Sequence, residues 1–407
     1  MKKLLIASDF TLILCFNLFL TKNILASSII AVSFIIGFYS FGIYTLSVIK
    51  SFNTSLVRMI SGIMIAFFIV FIFIFVFRLP INRFHFLYNI FFVSLTTFLH
   101  SIFYRAFYNK IPTEKILRLA YDDELSEVFQ EITVATDGHL KIIDCPDDPE
   151  KVFLEENTTL LVCRGKLEDK ESEIVTFCIE KGINVEYLPL YIEKYLYRTP
   201  VEVIKRFPEY YNIAFSESKV NFSNKVFDIL ISSLVLILSS PIILLSIILI
   251  KLEDGKEIFF KQKRYGMNGK IFYVYKLRTM NRVQENGEYV DKPTKIGKIL
   301  RKFRINELPQ IFNIFKGEMS LVGPRPDVER TMFFCEEEIQ FYHFRRTVPQ
   351  GITGNAQVLY KYVDKLEKET FSKRLSYDIY FVKNYSFSLY FTTLLRTVET
   401  VVFGRGK

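Results

Sequence analysis

One carboxylate lies among several basic side chains in the second half of the chain. Glu307 directly follows Asn306, and three arginines are close in sequence: Arg301, Arg304 and Arg325. An arginine fork matches phosphate oxygens and forms charge-assisted hydrogen bonds with them. A neighbouring carboxylate suits Mg²⁺, which prefers one or two protein carboxylates and completes its shell with substrate oxygens and water. These residue types predict a site for a phosphorylated substrate, with Mg²⁺ held by Glu307.

A short helix is expected to present this carboxylate. In the stretch 307–317 (ELPQIFNIFKG) apolar residues recur on one face, and Pro309 is tolerated in a first turn. Asn306 is then predicted to be the N-cap, a position at which Asn and Asp perform about equally well. Because the free N–H groups at a helix N-terminus attract phosphate, this geometry also supports the phosphate site.

Positive charge is concentrated around this site. Residues 253–308 hold 14 Lys and Arg against 7 Asp and Glu, and the net charge of the whole chain is +9. Such a region could bind anionic lipid, nucleic acid or a phosphorylated substrate. Gly and Pro recur in and just after it, as in RYGMNG and VGPRPD, and they fix loop shapes that suit a defined site. We exclude nucleic acid as a partner, because no recognition motif is present and the chain is predicted to be attached to a membrane.

Four apolar segments precede these charged residues. Half of the 407 residues are hydrophobic, and runs near the N-terminus reach the roughly 20 residues that cross a bilayer core. Within residues 1–109 we predict four transmembrane helices, at 4–20, 24–49, 56–77 and 84–104. Basic residues at both ends of this region and in its middle turn place those parts in the cytoplasm, by the positive-inside rule.

The composition changes in residues 110–200, which hold 20 Asp and Glu against 11 Lys and Arg. We predict a small α/β domain with a parallel sheet. The predicted elements are strands at 131–136 (EITVAT), 158–163 (TTLLVC) and 183–190 (INVEYLPL), and a helix at 171–182. No G-x-G-x-x-G motif follows a strand, so a spacer or regulatory domain is favoured over a nucleotide-binding one. A linker at 201–222 is predicted to lead to the last domain, 223–407.

The last domain opens with a further apolar segment. Residues 229–250 carry no charge, but both flanks are basic and Ser240-Pro241 lies in the middle. Proline removes a helix hydrogen bond, and a neighbouring serine hydroxyl can satisfy the carbonyl that it frees. The acidic domain before the segment and the basic domain after it are both expected in the cytoplasm. We therefore predict a re-entrant helix at 225–252, broken at Ser240 and Pro241, rather than a fifth transmembrane span.

The sulfur and imidazole side chains exclude other chemistry. The five cysteines and four histidines are scattered without a C-x-x-C pair, which argues against a disulfide framework, a zinc site or a histidine-based triad. The C-terminal stretch 377–404 carries aromatic and charged residues at helical spacing. Helices lying at the membrane interface and ordinary core packing both explain that pattern.

The order of several motifs resembles the bacterial sugar transferases, also called polyprenyl-phosphate glycosylphosphotransferases. The following motifs occur in this order from about Lys225 onwards: KVFD, SSP, FFKQKRYGMNGKIFYVYKLRTM, LRKFRINELPQIFNIFKGEMSLVGPRPD, GITGNAQV and YDIYFVKNYS. Four preceding membrane helices and a degenerate Rossmann-like domain are similar to the long form of that family. The resemblance implies a membrane α-helical bundle plus α/β fold, with a monotopic, re-entrant-helix catalytic domain of mixed short helices.

The resemblance also implies an activity. A sugar-1-phosphate would pass from a UDP-sugar to polyprenyl (undecaprenyl) phosphate with release of UMP, with Mg²⁺ as cofactor, as the first membrane step of exopolysaccharide, capsule or O-antigen synthesis. The enzyme would be multi-pass in the bacterial inner (cytoplasmic) membrane, with its active site facing the cytoplasm. Its partners would be the UDP-sugar, the polyprenyl phosphate and the lipid bilayer. A homo-oligomer is left open, as is the identity of the sugar.

Site residues of the family fall on residues of this chain. The family's catalytic Asp-Glu pair, in which the Asp is the nucleophile and the Glu helps to bind Mg²⁺, falls on Asn306 and Glu307. The resemblance thus assigns the catalytic and the metal-binding positions to these two residues. Arg304 joins the predicted substrate-binding residues because of its type and position beside the pair. The resemblance assigns the others: Lys276 and Arg278 of YKLRTM, Arg301, Arg325 of the PRP motif, and Asp228 at the start of the re-entrant helix.

The chain departs from the family pattern at Asn306. An amide is a far poorer nucleophile than a carboxylate and does not readily form an acyl phosphate. Four explanations stay open: Glu307 attacks instead, the polyprenyl phosphate attacks the donor directly, the chain has lost activity and serves as a substrate-binding or scaffold protein of polysaccharide assembly, or an engineered aspartate-to-asparagine change freezes the site. A transporter is the weaker alternative, because the apolar helices lack paired charges and repeats.

Overall fold

A computed structural model describes most of the chain. It covers residues 2–44, 52–108, 114–136, 138–146, 158–216, 222–285, 288–360 and 366–402. The chain divides into two compact units, Met1–Tyr191 and Ile192–Lys407. Each unit is described by itself below.

The first unit begins with four apolar helices, as the sequence predicts. They are α1 (Lys2–Thr21), α2 (Ile24–Ser40), α3 (Phe52–Phe77) and α4 (Arg83–Tyr108). Helix α2 ends nine residues before the predicted boundary at residue 49, and residues 45–49 lie outside the described part of the chain. Glycines let α2 and α3 approach closely, because a Cβ on Gly37 would lie only 2.3 Å from the carbonyl oxygen of Gly62. Such contacts at small residues are typical of paired membrane helices.

Two helices of the described chain are long and apolar enough to cross a membrane. They are Arg58–Phe77, within α3, and Phe222–Glu253, in the second unit. Only 28% and 17% of these stretches are buried inside the protein, so most of their apolar surface faces outward. Helices α1 and α2 contain shorter apolar stretches, Leu5–Thr21 and Ile24–Ser40. That all four N-terminal helices cross a membrane therefore stays a prediction.

A four-stranded parallel sheet follows the helices, which confirms the predicted small parallel sheet. Its strands have the order β2-β1-β3-β4. The strands are β1 (Glu114–Leu119), β2 (Leu140–Asp144), β3 (Thr158–Val162) and β4 (Asn184–Tyr187), and the helices are α5 (Ser126–Ala135), α6 (Asp169–Glu180) and α7 (Leu188–Leu196). Leu117, Leu160 and Val162 pack against Ile174 and Cys178 of α6 to form the core of this sheet.

Two of the predicted elements in this sheet need correction. Residues 131–136, predicted as a strand, belong largely to α5, where Val128, Phe129 and Ile132 form one buried face at helical spacing. The strand prediction rested on β-branched residues, whose propensity is weaker than the burial pattern. The predicted strand at 183–190 is also shorter than expected, because it ends at Tyr187 and helix α7 starts at the next residue.

The segment predicted as a linker, 201–222, begins with two helices. These are α8 (Val201–Arg206) and α9 (Pro208–Ser216). Val203 and Ile204 of α8 and Tyr211 of α9 are almost fully buried within the second unit. Within the segment, the hydroxyl of Tyr210 lies 2.7 Å from the ammonium of Lys383, so a hydrogen bond joins it to the C-terminal part of the unit. Burial of this kind is not expected of a flexible linker.

A single long helix, α10 (Phe222–Asp254), follows. The predicted break at Ser240 and Pro241 is wrong as a break in the helix, because both residues lie inside this continuous element. Pro241 cannot donate to the carbonyl of Ile237, and the Ser240 hydroxyl donates to that carbonyl instead, at 2.9 Å. This replacement hydrogen bond explains how the helix continues past the proline. Whether α10 enters and leaves on the same side of a membrane stays a prediction.

The rest of the second unit consists of short strands and helices. Strands β5 and β6 form one antiparallel hairpin, β7 and β8 form another, and β9 pairs with β10 in parallel. The strands are β5 (Phe259–Tyr265), β6 (Ile271–Leu277), β7 (Met280–Glu285), β8 (Glu288–Pro293), β9 (Ser320–Val322) and β10 (Gly351–Thr353). The helices are α11 (Lys295–Lys302), α12 (Ile311–Phe315), α13 (Glu329–Glu338), α14 (Asn355–Leu359), α15 (Lys368–Lys383) and α16 (Phe387–Val402).

The last two helices cover the predicted helical stretch 377–404 as far as Val402. Of the two explanations for its pattern, core packing accounts for the part in α15, where Ile379 and Phe381 are buried. In α16, Tyr390 is fully buried as well. These helices therefore form part of the core of the second unit.

Candidate active site

Asn306 and Glu307 lie on a tight 3₁₀ turn. The turn spans Ile305–Gln310 and leads directly into α12. The prediction that Asn306 is the N-cap is wrong, because Arg304 takes that position and Asn306 lies inside the turn. Arg304 has the left-handed backbone angles φ 55° and ψ 19°, which few residues other than glycine adopt. This conformation separates the end of α11 from the 3₁₀ turn that carries Glu307.

Three cations surround the carboxylate of Glu307. Its oxygens lie 3.5 Å from Nη2 of Arg325, 3.9 Å from Nη1 of Arg304 and 4.0 Å from Nζ of Lys276. Burial would raise the pKa of Glu307, but Arg325, Lys276 and Arg304 outweigh that effect and hold the pKa below its ordinary value. Glu307 is therefore ionised at neutral pH while its side chain is only 16% exposed.

Lys276 reaches this cluster from strand β6. Burial lowers the pKa of its ammonium group to about 8, and the positive charges of Arg325, Arg264 and Arg301 act in the same direction, whereas Glu307 opposes them. The strand is fixed to α12 by Asn313, whose amide donates to the carbonyl of Tyr273 at 2.7 Å. Since α12 continues directly from the 3₁₀ turn, this bond also sets the position of Lys276 relative to Glu307.

Two of the other predicted substrate-binding arginines have different contacts. Nη1 of Arg301 lies 3.1 Å from the sulfur of Met280, and its charge acts on Lys276 although no ion pair with Glu307 is found in the described chain. The Arg278 guanidinium donates to the carbonyl of Glu257 and to the side chain of Asn281. The structure therefore brings Lys276, Arg304 and Arg325 to Glu307, but not Arg301 or Arg278, and substrate binding by all five stays a prediction.

Asp228 supports the site from helix α10. One oxygen of its buried carboxylate accepts from the Ser320 hydroxyl at 3.1 Å, from the Leu321 N–H at 2.8 Å and from the Tyr390 hydroxyl. These bonds attach the N-terminal part of α10 to strand β9, which precedes the loop that carries Arg325. The observed contacts of Asp228 are thus structural, and its predicted contact with substrate stays a prediction.

Sequence reasoning missed the buried residues that hold the Arg325 loop. Arg345 is 1% exposed and lies between the carboxylates of Asp327 and Asp378. Its Nη2 also donates to the backbone carbonyl of Arg325 at 2.9 Å. Nothing in the local sequence FRRTVPQ distinguishes Arg345 from a surface arginine, because its partners are 18 and 33 residues away.

A Mg²⁺ ion fits this donor set only if substrate phosphates and water supply most of its ligands. In the described part of the chain no three His, Cys, Asp or Glu residues gather at a point where a metal could bind. Glu307 nevertheless offers an ionised carboxylate whose neighbouring cations stand 3.5–4.0 Å away, and the partly exposed Asn306 next to it has an amide oxygen. Mg²⁺ accepts such a sparse protein shell when substrate phosphates and water supply the remaining ligands.

Comparison with known proteins identifies the family. The profile of the family "Bacterial sugar transferase" matches residues 219–404. The exopolysaccharide production protein ExoY of Sinorhizobium fredii is 35% identical over 208 residues, which cover 45% of this chain and 87% of that protein. The chain belongs to the bacterial sugar transferase family. Membership confirms the resemblance inferred from the motifs and places the whole Glu307 cluster inside the family region.

Two further bacterial sugar transferases have more specific names. The UDP-N-acetylgalactosamine-undecaprenyl-phosphate N-acetylgalactosaminephosphotransferase of Aeromonas hydrophila is 36% identical over 191 residues, 46% of this chain and 45% of that protein. The UDP-glucose:undecaprenyl-phosphate glucose-1-phosphate transferase of Klebsiella pneumoniae is 40% identical over 195 residues, 45% of this chain and 41% of that protein. The chain thus matches less than half of the length of these two relatives, and they differ in the sugar.

Proposed function

We propose that this bacterial sugar transferase moves a sugar-1-phosphate from a UDP-sugar to undecaprenyl phosphate and releases UMP. The observation that carries the proposal is the carboxylate of Glu307 with Lys276, Arg304 and Arg325 at 3.5–4.0 Å. A cluster with three cations and one anion has a surplus of positive charge, which a donor diphosphate would neutralise. Relatives named for this reaction support the assignment.

The cations of the cluster would bind and orient the donor. Phosphoryl transfer needs little covalent chemistry from the protein, because it depends mainly on positioning and on stabilising charge. Arg304 is 46% exposed and open to an incoming ligand, whereas Lys276 and Arg325 are 15% and 20% exposed and line the inner side. Their partial burial strengthens each charge–charge interaction with the diphosphate relative to bulk water.

Glu307, assisted by the Asn306 amide oxygen, would hold Mg²⁺ beside the donor. When bound, the ion would neutralise negative charge on the diphosphate as UMP leaves. The lowered pKa of Glu307 keeps this carboxylate ionised, as a metal ligand must be. The Glu307 oxygens are held by long ion pairs rather than short hydrogen bonds, so they can exchange a cationic partner for the metal.

Asn306 favours direct transfer to the lipid acceptor. A side-chain amide does not supply the electron pair that forms an acyl phosphate, and the carboxylate of Glu307 would already be a ligand of Mg²⁺. The phosphate of the acceptor would then attack the β-phosphorus of the UDP-sugar, which carries the sugar, in one step. A new phosphorus–oxygen bond forms, the bond from the β-phosphorus to the UMP oxygen breaks, and UMP leaves with the negative charge. Arg304 and Arg325 would stabilise that charge as it develops.

The acceptor requires that the site lie close to a bilayer. Helix α10 exposes apolar residues along its length, and Asp228 ties its first turns to β9. We propose that α10 and the four N-terminal helices anchor the protein in the bacterial inner membrane, with α10 re-entrant and the Glu307 cluster facing the cytoplasm, where UDP-sugars are made. Exopolysaccharide synthesis is the expected context, because a related protein is named for it.

The decisive experiment follows the label of the donor. The full chain, purified in lipid nanodiscs, receives UDP-glucose or UDP-N-acetylgalactosamine labelled in the β-phosphate, with undecaprenyl phosphate and Mg²⁺. The proposal expects the label in the lipid fraction and stoichiometric UMP in solution, both dependent on the lipid acceptor. Label that stays with the nucleotide for both sugars, while UDP-sugar still binds, would instead favour a substrate-binding assembly protein, the second function that Asn306 supports.

A further inference from the structure

The loop that presents Arg325 is held at its backbone. Residues 323–328 connect β9 to α13, and neighbouring backbone bonds fix the start of this loop: Gly323 N–H donates to the carbonyl of Thr353 at 2.8 Å, and Gly351 N–H donates to that of Pro324 at 2.9 Å. Gly323 leaves no space for a side chain, since a Cβ there would lie 2.2 Å from the carbonyl oxygen of Pro349. These contacts fix the direction in which the loop leaves β9.

A buried cation fixes the next part of the loop. The Arg345 guanidinium donates to Oδ2 of Asp378 through Nε at 3.0 Å and through Nη2 at 2.9 Å, and it donates to Asp327 through Nη1. Nη2 also donates to the carbonyl oxygen of Arg325 at 2.9 Å. Tyr342 adds a hydrogen bond to Asp327 at 3.0 Å. Arg345 thus contacts the backbone of the residue whose side chain reaches Glu307.

A buried ion network of this kind is weak evidence of added stability. Replacing a buried ion network with apolar residues of similar volume is often neutral or stabilising, so stability alone does not account for it. Its distinct property is a fixed geometry, because a planar guanidinium forms its bonds in set directions. Burial opposes the charge of Arg345, but Asp327, Tyr342 and Asp378 outweigh this effect and raise its pKa above the ordinary value. The guanidinium therefore stays charged and keeps its donors in place.

We propose that Arg345 is a positioning residue: by holding the carbonyl of Arg325 it directs the Arg325 side chain toward Glu307 and the donor phosphates. Arg345 itself does not contact the Glu307 carboxylate, and it is buried. Its effect on the reaction passes through Arg325, whose guanidinium lies 3.5 Å from Glu307. The inference rests on the proposed transferase function, because only there does the direction of Arg325 affect a rate.

A double-mutant cycle in the full chain tests this inference. Arg345→Lys keeps the positive charge between Asp327 and Asp378 but replaces the planar fork with a single ammonium group. The substitution is made in the wild-type background and in Arg325→Ala, and kcat and KM for UMP release are measured with UDP-sugar and undecaprenyl phosphate. The matched control is Arg346→Lys, which changes the neighbouring arginine of the same turn, paired with Glu336 rather than with the loop.

Arg345→Lys is expected to lower kcat/KM about 10- to 100-fold when Arg325 is present, because small misplacements of a positioning group have effects of that size. In the Arg325→Ala background the same change should have an effect below about threefold, and Arg346→Lys should stay within about threefold of its parent in both backgrounds. An equal loss in the two backgrounds overturns the inference and leaves the proposed function intact. A wild-type chain that neither binds UDP-sugar nor releases UMP overturns the proposed function instead.

Protein yield and thermal unfolding in nanodiscs show whether each variant folds. If Arg345→Lys gives no folded protein, Tyr342→Phe takes its place, because it removes one hydrogen bond to Asp327 and leaves Arg345 intact. The inference then expects a smaller loss of kcat/KM that again disappears in the Arg325→Ala background. A loss of kcat/KM that persists at the same size without Arg325 contradicts it.

Discussion

Nζ of Lys276 lies 4.0 Å from Oε1 of Glu307, in a partly buried site that also holds Arg325. Burial lowers the pKa of this ammonium group from 10.5 to about 8 in the folded protein. Between pH 8 and 10.5 the unfolded chain therefore binds a proton that the folded chain has already released. The free energy of unfolding should consequently gain a contribution from Lys276 that grows with pH across this window.

The variant Lys276→Met isolates that contribution. Other groups titrate in the same range, so the measured quantity is the difference between wild type and variant in thermal unfolding at several pH values in one detergent. The melting temperature of wild type minus that of Lys276→Met should increase as pH rises from 8 to 10.5. A difference that stays constant over this range would show that Lys276 has an ordinary pKa in the folded protein.

The proposed direct transfer predicts that no covalent intermediate forms while residue 306 is an asparagine. With a donor labelled in the sugar, wild-type protein should carry no label after rapid quenching, because an amide supplies no nucleophile. Asn306→Asp places a carboxylate directly before Glu307 and should become labelled through an acyl phosphate that hydroxylamine cleaves. Equal labelling of wild type and variant would mean that another residue attacks, and Glu307 would be the first to test.

Substitutions at two glycines distinguish two effects of an added Cβ: a steric clash at Gly323 and backbone strain at Gly317. Gly323→Ala places a Cβ 2.2 Å from a backbone carbonyl oxygen, so the Arg325 loop must move. We expect kcat/KM for UMP release to fall at least about tenfold, because a displaced loop misplaces Arg325. Gly317 has open space around it but a φ of +73°, so Gly317→Ala should destabilise the protein by about 1–2 kcal/mol and leave the rate largely unchanged. Equal rates for the two variants would contradict a rigid loop.

The Ser240 hydroxyl is expected to stabilise α10 only because Pro241 is present. Ser240→Ala leaves the carbonyl of Ile237 without its donor and should lower the free energy of unfolding by about 1 kcal/mol. In the Pro241→Ala background an ordinary N–H can reach that carbonyl, and Ser240→Ala should then be nearly neutral. Thermal unfolding of the four proteins in detergent measures the coupling, and additive effects of the two substitutions would show that the hydroxyl does not replace the lost bond.

The sequence predicted the parts of the fold that repeat a simple pattern. The apolar helices, the parallel sheet and the helical character of residues 225–252 follow from runs and periodicities that are visible locally. Residues 131–136 were misassigned, because β-branched residues in α5 have the same composition as a strand and only their burial as one helical face distinguishes them. The predicted break at Pro241 was wrong because the Ser240 hydroxyl donates to the carbonyl that the proline leaves free, and the helix continues.

The candidate site was predicted in its residue types but not in its geometry. Glu307, Lys276, Arg304 and Arg325 come together, although Arg325 is 18 residues from Glu307 and Lys276 is 31 residues away. The left-handed turn at Arg304 moved the N-cap away from Asn306, and no sequence signal marks such a turn when the residue is not glycine. Arg345 could not be predicted, because its role depends on two carboxylates that the fold brings from elsewhere.

The carboxylate of Glu307 provides the most direct test of the proposed site. UMP release is measured from the full chain in nanodiscs with UDP-sugar, undecaprenyl phosphate and Mg²⁺, for wild type, Glu307→Gln and the control Glu329→Gln, which changes an exposed carboxylate paired with Lys263. Glu307→Gln keeps the shape of the side chain but removes the charge, and it should lower the rate at least about 100-fold, whereas Glu329→Gln should stay near wild type. Unchanged UMP release from Glu307→Gln would contradict the assignment of this cluster as the active site.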